Sequence, residues 1–324
     1  MYLLGDCGVG SASWTTAFVT LPPHVPGLNW PGCGATIGRM SDVVYTDTQQ
    51  RRVLGLFREL VQARELVLDL AWKELRIRYR YALMGFLWAV LEPVAMMLIL
   101  TFVFTIVFAD RAAGLRGGDT RPFAVVLLCG LIPWQFLASG LIKGIQSLID
   151  HQNLIKKIYF PREIVPLAAL TTCLVNLVIG FVVLLVLHVS LGGRLGLGMV
   201  WFPVVFAIQF TMVAGLVLLF SCLNVHFRDV GYIVGVGIVF GFYATPIFYT
   251  LDLILRLQSS HPWIVRLYLL NPMAELVTAY RQILFENRFP DPALLVWPCA
   301  VAVACALAGL IVFRRQGPLL SDYL

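Results

Sequence analysis

Residues 164–190 read IVPLAALTTCLVNLVIGFVVLLVLHVS, 27 residues without an Asp, Glu, Lys or Arg. A hydrocarbon core of ~30 Å asks for about 20 apolar residues in a helix, which closes its own backbone hydrogen bonds where there is no water to do so. This stretch meets that demand. Five further runs of the same character lie near 84–109, 123–143, 197–223, 230–250 and 292–313. The sequence therefore predicts an all-α, polytopic membrane protein with about six transmembrane helices in one domain, 83–316, followed by a short tail, 317–324.

Composition agrees. Of 324 residues, 59% are hydrophobic and 13% charged, whereas a soluble domain carries about 25% charged residues. The net charge of +6 does not point to nucleic acid, because the basic residues flank the apolar runs instead of forming a patch of their own. If spans alternate, Lys73, Arg76, Arg78, Arg80, Lys143, Lys156, Lys157, Arg162, Arg228, Arg314 and Arg315 fall on one side. Arg111, Arg116, Arg121, Arg194 and four arginines in 251–291 fall on the other. The excess of Lys and Arg marks the first side as cytoplasmic and places both termini there, in a cytoplasmic (inner) membrane. Five of the seven cysteines lie inside apolar runs and none has metal-type or redox-type spacing, so they read as small hydrophobes.

Residues 1–40 hold no apolar periodicity and no basic n-region ahead of an apolar stretch. They read as a disordered or spurious extension, and residues 1–38 are expected to be dispensable. Over 56–80, within a helical segment 51–82, Arg58, Gln62, Glu65, Asp69, Lys73, Arg76 and Arg80 recur at steps of three and four, with Leu56, Leu60, Ala63, Val67 and Ala71 opposite. That is an amphipathic helix lying in the membrane interface, although Arg64, Glu74 and Arg78 blur its apolar side. On the far side, 251–291 is broken by Arg256, Arg266, Arg281 and Asn271-Pro272. It reads as two short helices, the second with Leu276, Tyr280, Ile283 and Leu284 on one side.

No G-x-x-x-x-G-K-[ST] loop occurs in these 324 residues, nor H-E-x-x-H or G-x-S-x-G, so ATP is not bound by that route. Few other residues invite a chemical reading. The cytoplasmic loop 145–163 is amphipathic and basic, which suits docking on a soluble partner and equally suits a plain positive-inside loop. Leu148, Ile149, Leu154 and Ile155 supply its apolar face. Glu92-Pro93 places a charge and a helix breaker about two turns into the first span, where burial in lipid costs at least ~2.5 kcal/mol. Glu92 should thus face protein or water, as a polar anchor or as part of a transport path. In the fifth span, Gly231, Gly235, Gly237 and Gly241 form two small-xxx-small pairs that permit close helix approach. Phe242, Tyr243, Phe248 and Tyr249 follow around Pro246, suited to an interfacial belt or to stacking on sugar rings. Asn176, His188 and Gln209 read as interhelical hydrogen-bonding groups. A membrane glycosyl- or acyltransferase would need convergent acid and base groups, for which His226 with Asp229 is the tight candidate; a polar turn between two spans explains that pair as well.

Five blocks resemble the type-2 ABC exporter permeases of O-antigen, capsular polysaccharide and teichoic acid: RYRYALMGFLWAVLEP (78–93), GLIPWQFLASGL (130–141), NLIKKIYFPREIVPL (153–167), LNVHFRDV (223–230) and NPMAELVTAYRQILF (271–285). The resemblance implies a homodimer working with two copies of a separate ATPase that holds the ATP and Mg, with no cofactor on this chain and a lipid-linked glycan as substrate. It implies that 56–80 is a gate helix carrying Lys73, Arg76, Arg78 and Arg80. It also implies that 145–163 carries the coupling helix, with Phe160, Arg162 and Glu163 joining Leu148, Ile149, Leu154, Ile155, Lys156 and Lys157. Trp88, Glu92, Phe242, Tyr243 and Phe248 become candidates for the path, and the outer segment becomes re-entrant, with Asn271, Pro272, Glu275 and Arg281. A permease of the same superfamily for a small lipid, lipo-oligosaccharide or drug is the neighbouring reading.

Overall fold

The computed structural model describes residues 64–80, 85–103, 123–157, 161–249, 251–255 and 261–317. Among these residues the chain is helical, with no strand. In order come α1 (Arg64–Arg80), α2 (Trp88–Phe102), α3 (Phe123–Asp150), α4 (Gln152–Lys157), α5 (Ile164–Ser190), α6 (Phe202–His226), α7 (Asp229–Ala244), α8 (Leu251–Leu255), α9 (Pro262–Leu269), α10 (Pro272–Phe285) and α11 (Pro292–Gln316). The sequence reading of 1–40, and of 51–63 in the interfacial helix, lies outside the described residues.

The six apolar runs appear as helices at the expected places. Four are long and apolar enough to cross a membrane: α3, α5, the unit Leu197–His226 that α6 completes, and α11. Two are shorter, α2 and α7. The α7 run was read as 230–250, yet its helix ends at Ala244. Pro246 supplies no N–H and pushes its predecessor out of the helical region, and Thr245 is indeed extended. Sixteen residues at 1.5 Å each give about 24 Å, short of the ~30 Å core. The segment 245–249 continues the passage without helical hydrogen bonds and needs outside donors, described below.

The core forms around α3, which packs on α5 and α6, and around the α6–α11 pair. Small residues set the approach. A Cβ on Gly215 would sit 2.4 Å from the Ala306 nitrogen, and one on Gly309 would sit 2.3 Å from the Gly215 oxygen, so α6 and α11 touch backbone to backbone. Gly144 of α3 is likewise occupied by Val217 of α6. Gln209 finds partners between helices, as the sequence suggested: its Nε2 donates to the Pro133 carbonyl at 2.8 Å, and its Oε1 accepts from the Tyr280 hydroxyl at 2.9 Å. His188, read the same way, instead packs its ring on Phe285 at 5.6 Å, with no hydrogen bond to its buried Nε2 among the described residues.

α1 has three kinds of surface. Ala71 and Leu75 are buried, packed toward α5, while Glu65, Asp69, Lys73, Arg76 and Arg80 form the exposed charged stripe read from the sequence. Leu68 and Trp72 on one flank of that stripe, and Leu66 and Ile77 on the other, are exposed apolar residues, as a helix lying at an interface would show.

Candidate functional site

Two places carry the residues singled out by the sequence: the turn between α3 and α5, and the outer ends of α7 and α10. The turn is built around His151 and the short helix α4. Leu148 and Ile155 are buried in a small apolar cluster with Val165, Leu218, Cys222 and Phe313. This corrects the reading that Leu148 and Ile155 belong to an outward docking face: the chain's own α5, α6 and α11 already cover them. The outward surface instead includes exposed Asp150, Asn153 and Lys156 with half-buried Ile149 and Leu154. Arg162 donates from Nη1 to the Gly317 carbonyl, tying the turn to the end of α11, and Cys222 meets Gln316 at 3.3 Å beside it. Glu163 occupies the N-cap of α5 without capping it through its side chain. Phe160 and the side chains of Lys157 and Arg78 lie outside the described residues.

At the other place, Pro246 leaves the last carbonyls of α7 without helical donors. Asn271 supplies one to the Ala244 carbonyl, and Arg281 supplies two to the non-helical segment that follows. Asn271 Nδ2 donates to the Ala244 carbonyl at 3.2 Å and to Thr245 Oγ at 3.0 Å, while its Oδ1 accepts from Met273 N and caps α10. Pro272 follows at N1, where a missing N–H is tolerated. Arg281 is buried, with Nη1 donating to Tyr249 O at 2.8 Å and Nη2 to Ile247 O at 2.9 Å. A guanidinium suits this position because its rigid fork serves two carbonyls at once. Glu275, one turn into α10, is buried with Oε2 unpartnered, and burial pushes its carboxyl up to about 7.

The clamp holds a cluster of rings. Phe242 meets Phe248 edge-on at 5.1 Å, Tyr243 at 5.4 Å and Trp134 of α3 at 6.1 Å. Three of the path candidates are thus together, and Trp134, which the sequence reading left unassigned inside its 130–141 block, joins them. Trp88 and Glu92 are on α2. Glu92 lines a separate cleft of about 270 Å³ with Gln135, Ser139 and Asn176, so it has the polar surroundings its charge requires.

α7 itself is open. None of its residues is buried; Tyr232, Val236 and Phe240 are each over 70% exposed. A Cβ at Gly235 or Gly237 would meet nothing within 4 Å, whereas one at Gly241 would strike the Trp134 ring at 2.7 Å. The close approach read from these glycines is therefore used within the chain at Gly241, and Gly235 and Gly237 face away from it. His226 turns its Nδ1 to the Cys222 carbonyl of its own helix at 3.1 Å, as a helix-end residue does.

The profile of the ABC-2 type transporter family matches residues 65–285. The chain belongs to that family. It is 33% identical to the O-antigen export system permease protein RfbA of Myxococcus xanthus over 82% of this chain and 97% of that protein. It is also 30% identical to a protein of the same description from Klebsiella pneumoniae, over 78% of this chain and 92% of that one. As an ABC-2 family member it is a multi-pass membrane permease, and the family implies an ATP-binding ABC partner. The matched region runs from α1 to the end of α10, so the turn, the clamp and α7 all belong to the family's shared part.

Proposed function

We propose that this chain is the membrane subunit of an exporter that moves a lipid-linked polysaccharide of the O-antigen, capsular or teichoic-acid type across the cytoplasmic membrane, driven by a separate ATPase. The observation that carries this reading is the match to O-antigen export permeases along nearly their whole length, together with a ring cluster beside an open helix. Aromatic faces stack on the apolar C–H faces of sugars without demanding one sequence of residues, which suits a repetitive glycan.

Two copies would complete the transporter. α7 presents an apolar face with two bare glycines, the surface on which a second copy and the passing glycan would meet. Two ATPases would press from the cytoplasm on the turn, through Asn153, Leu154 and Lys156. Both termini then lie in the cytoplasm.

The test is deletion of the gene with assay of surface glycan, and affinity purification of the chain from its own membranes with assay of the eluate for an ATP-binding ABC subunit. Loss of surface glycan, a co-purified ATPase and ATP-dependent glycan movement in vesicles are expected. Normal surface glycan with ATP-dependent movement of a small lipid or drug would favour the neighbouring reading.

A further inference from the structure

Glu74 is one of three residues that blurred the apolar side of α1 in the sequence, and the structure gives it two partners from distant parts of the chain. Its Oε2 lies 3.2 Å from the Thr172 hydroxyl on α5, and its Oε1 lies 3.6 Å from Nε2 of His151 at the turn. His151 Nδ1 is 3.0 Å from the Ser147 carbonyl. The ring is thus oriented from two sides, with Nδ1 toward the end of α3 and Nε2 toward the Glu74 carboxylate on α1.

The pair is partly buried, with side-chain exposures of 27% and 25%, and its 3.6 Å separation is longer than a hydrogen bond. Buried Ala71 and Leu75 already pack α1 on α5, so what this carboxylate adds is position. One carboxylate touches α1, α5 and the turn, and the turn is also tied to α11 through Arg162 and Gly317.

We propose that Glu74 is a positioning residue for transport: it latches α1 to His151 and Thr172, so that a push on the turn is passed to α1 instead of being absorbed in the turn. This rests on the reading that a partner ATPase drives the chain through 145–163. It goes beyond that reading by naming the link between the turn and the interfacial helix.

The experiment uses the full chain with its ATPase in proteoliposomes. Glu74→Gln is expected to lower glycan export about tenfold while ATP hydrolysis and ATPase co-purification stay within about twofold, the range that loss of a coupling contact produces. His151→Gln should give the same split from the other partner, which covers the case in which Glu74→Gln fails to accumulate. Exchanging the two residues, Glu74→His with His151→Glu, should return export to within about threefold of the parent, a rescue that a merely structural role does not predict. Normal export in both single variants, or no rescue in a double variant that accumulates normally, overturns the latch. Leu154→Asp serves as the separate check. If it releases the ATPase while Glu74→Gln exports normally, the latch alone falls; if it retains ATPase and export, the docking reading falls with it.

Discussion

α6 and α7 are neighbours in the chain, almost equally apolar, and joined at Phe227 and Arg228, yet they meet opposite fates. α6 buries ten residues and touches α3, α10 and α11, while α7 buries none. Apolar composition sends both into the membrane and says nothing about what each will face there. The difference lies in small polar and glycine positions: Gln209, Asn224 and Gly215 commit α6 to partners in the same chain, and Gly235 and Gly237 leave α7 available to something outside it.

Substitution at the glycines is the sharpest way to break this contrast. Gly215→Leu drives a side chain into the backbone of α11, and overpacking without room to relax costs about 1–3 kcal/mol or more. It is expected to abolish accumulation of folded protein, read as monodisperse protein after detergent extraction. At Gly235 and Gly237 an added Cβ meets nothing within 4 Å, so Gly235→Leu and Gly237→Leu begin in open space. They should accumulate normally while cross-linked dimer and glycan export fall severalfold, roughly the effect of a lost small-residue contact. Normal dimer yield in both would show that α7 faces lipid.

The clamp at the end of α7 gives the next largest effect. Arg281→Lys keeps the charge but cannot serve both carbonyls, and each charge-assisted hydrogen bond is worth about 1.5–3 kcal/mol. Export is expected to fall more than membrane level, because segment 245–249 loses its holder while α3, α5, α6 and α11 stay packed. Thermal unfolding of the purified variant checks the second half of that statement.

The smallest effect concerns Glu275. Its folded value near 7 exceeds the ordinary 4.5, so the folded protein binds the proton more tightly. Stability from this group is full below about pH 4.5, falls as pH rises through the window to about 7, and stays low above it. Glu275→Gln should flatten that slope and raise the melting temperature by a few degrees at pH 8, roughly the shift that about 1 kcal/mol produces in a domain of this size. A larger slope in the variant would contradict the burial argument.

Much of this was legible in the sequence, and the rest was hidden for identifiable reasons. The run 164–190 was read with the boundaries that α5 has, because long uncharged runs are set by bilayer thickness alone. The polar stripe of α1 was read correctly because its period is local. Leu148 and Ile155 were assigned outward because periodicity identifies an apolar face without saying whether the chain or a partner covers it. Glu74 was noticed as a blemish, yet its pairing with Thr172, 98 residues away, has no local signature. Trp134 stood in a quoted block but gained its meaning only when α7 was laid beside α3. In the clamp, Asn271-Pro272 announced a helix start, and nothing near Arg281 announced that its fork would close on residues 247 and 249.

The backbone contact between Gly215 and Gly309 makes α6 and α11 a single strut. Two helices that touch main chain to main chain cannot slide past one another by a fraction of a turn, as helices separated by long side chains can. At one end of α11, Phe313 sits in the cluster with Leu148 and Ile155; at the other, Trp297 Nε1 donates to the Leu270 carbonyl just before α10. A tilt imposed at the turn therefore reaches the clamp along a lever arm of about 24 Å, the helical distance from Phe313 to Trp297. The yielding member is α7, which leans on the core through one side, Val234, Ile238 and Phe242, and leaves the rest of its surface open.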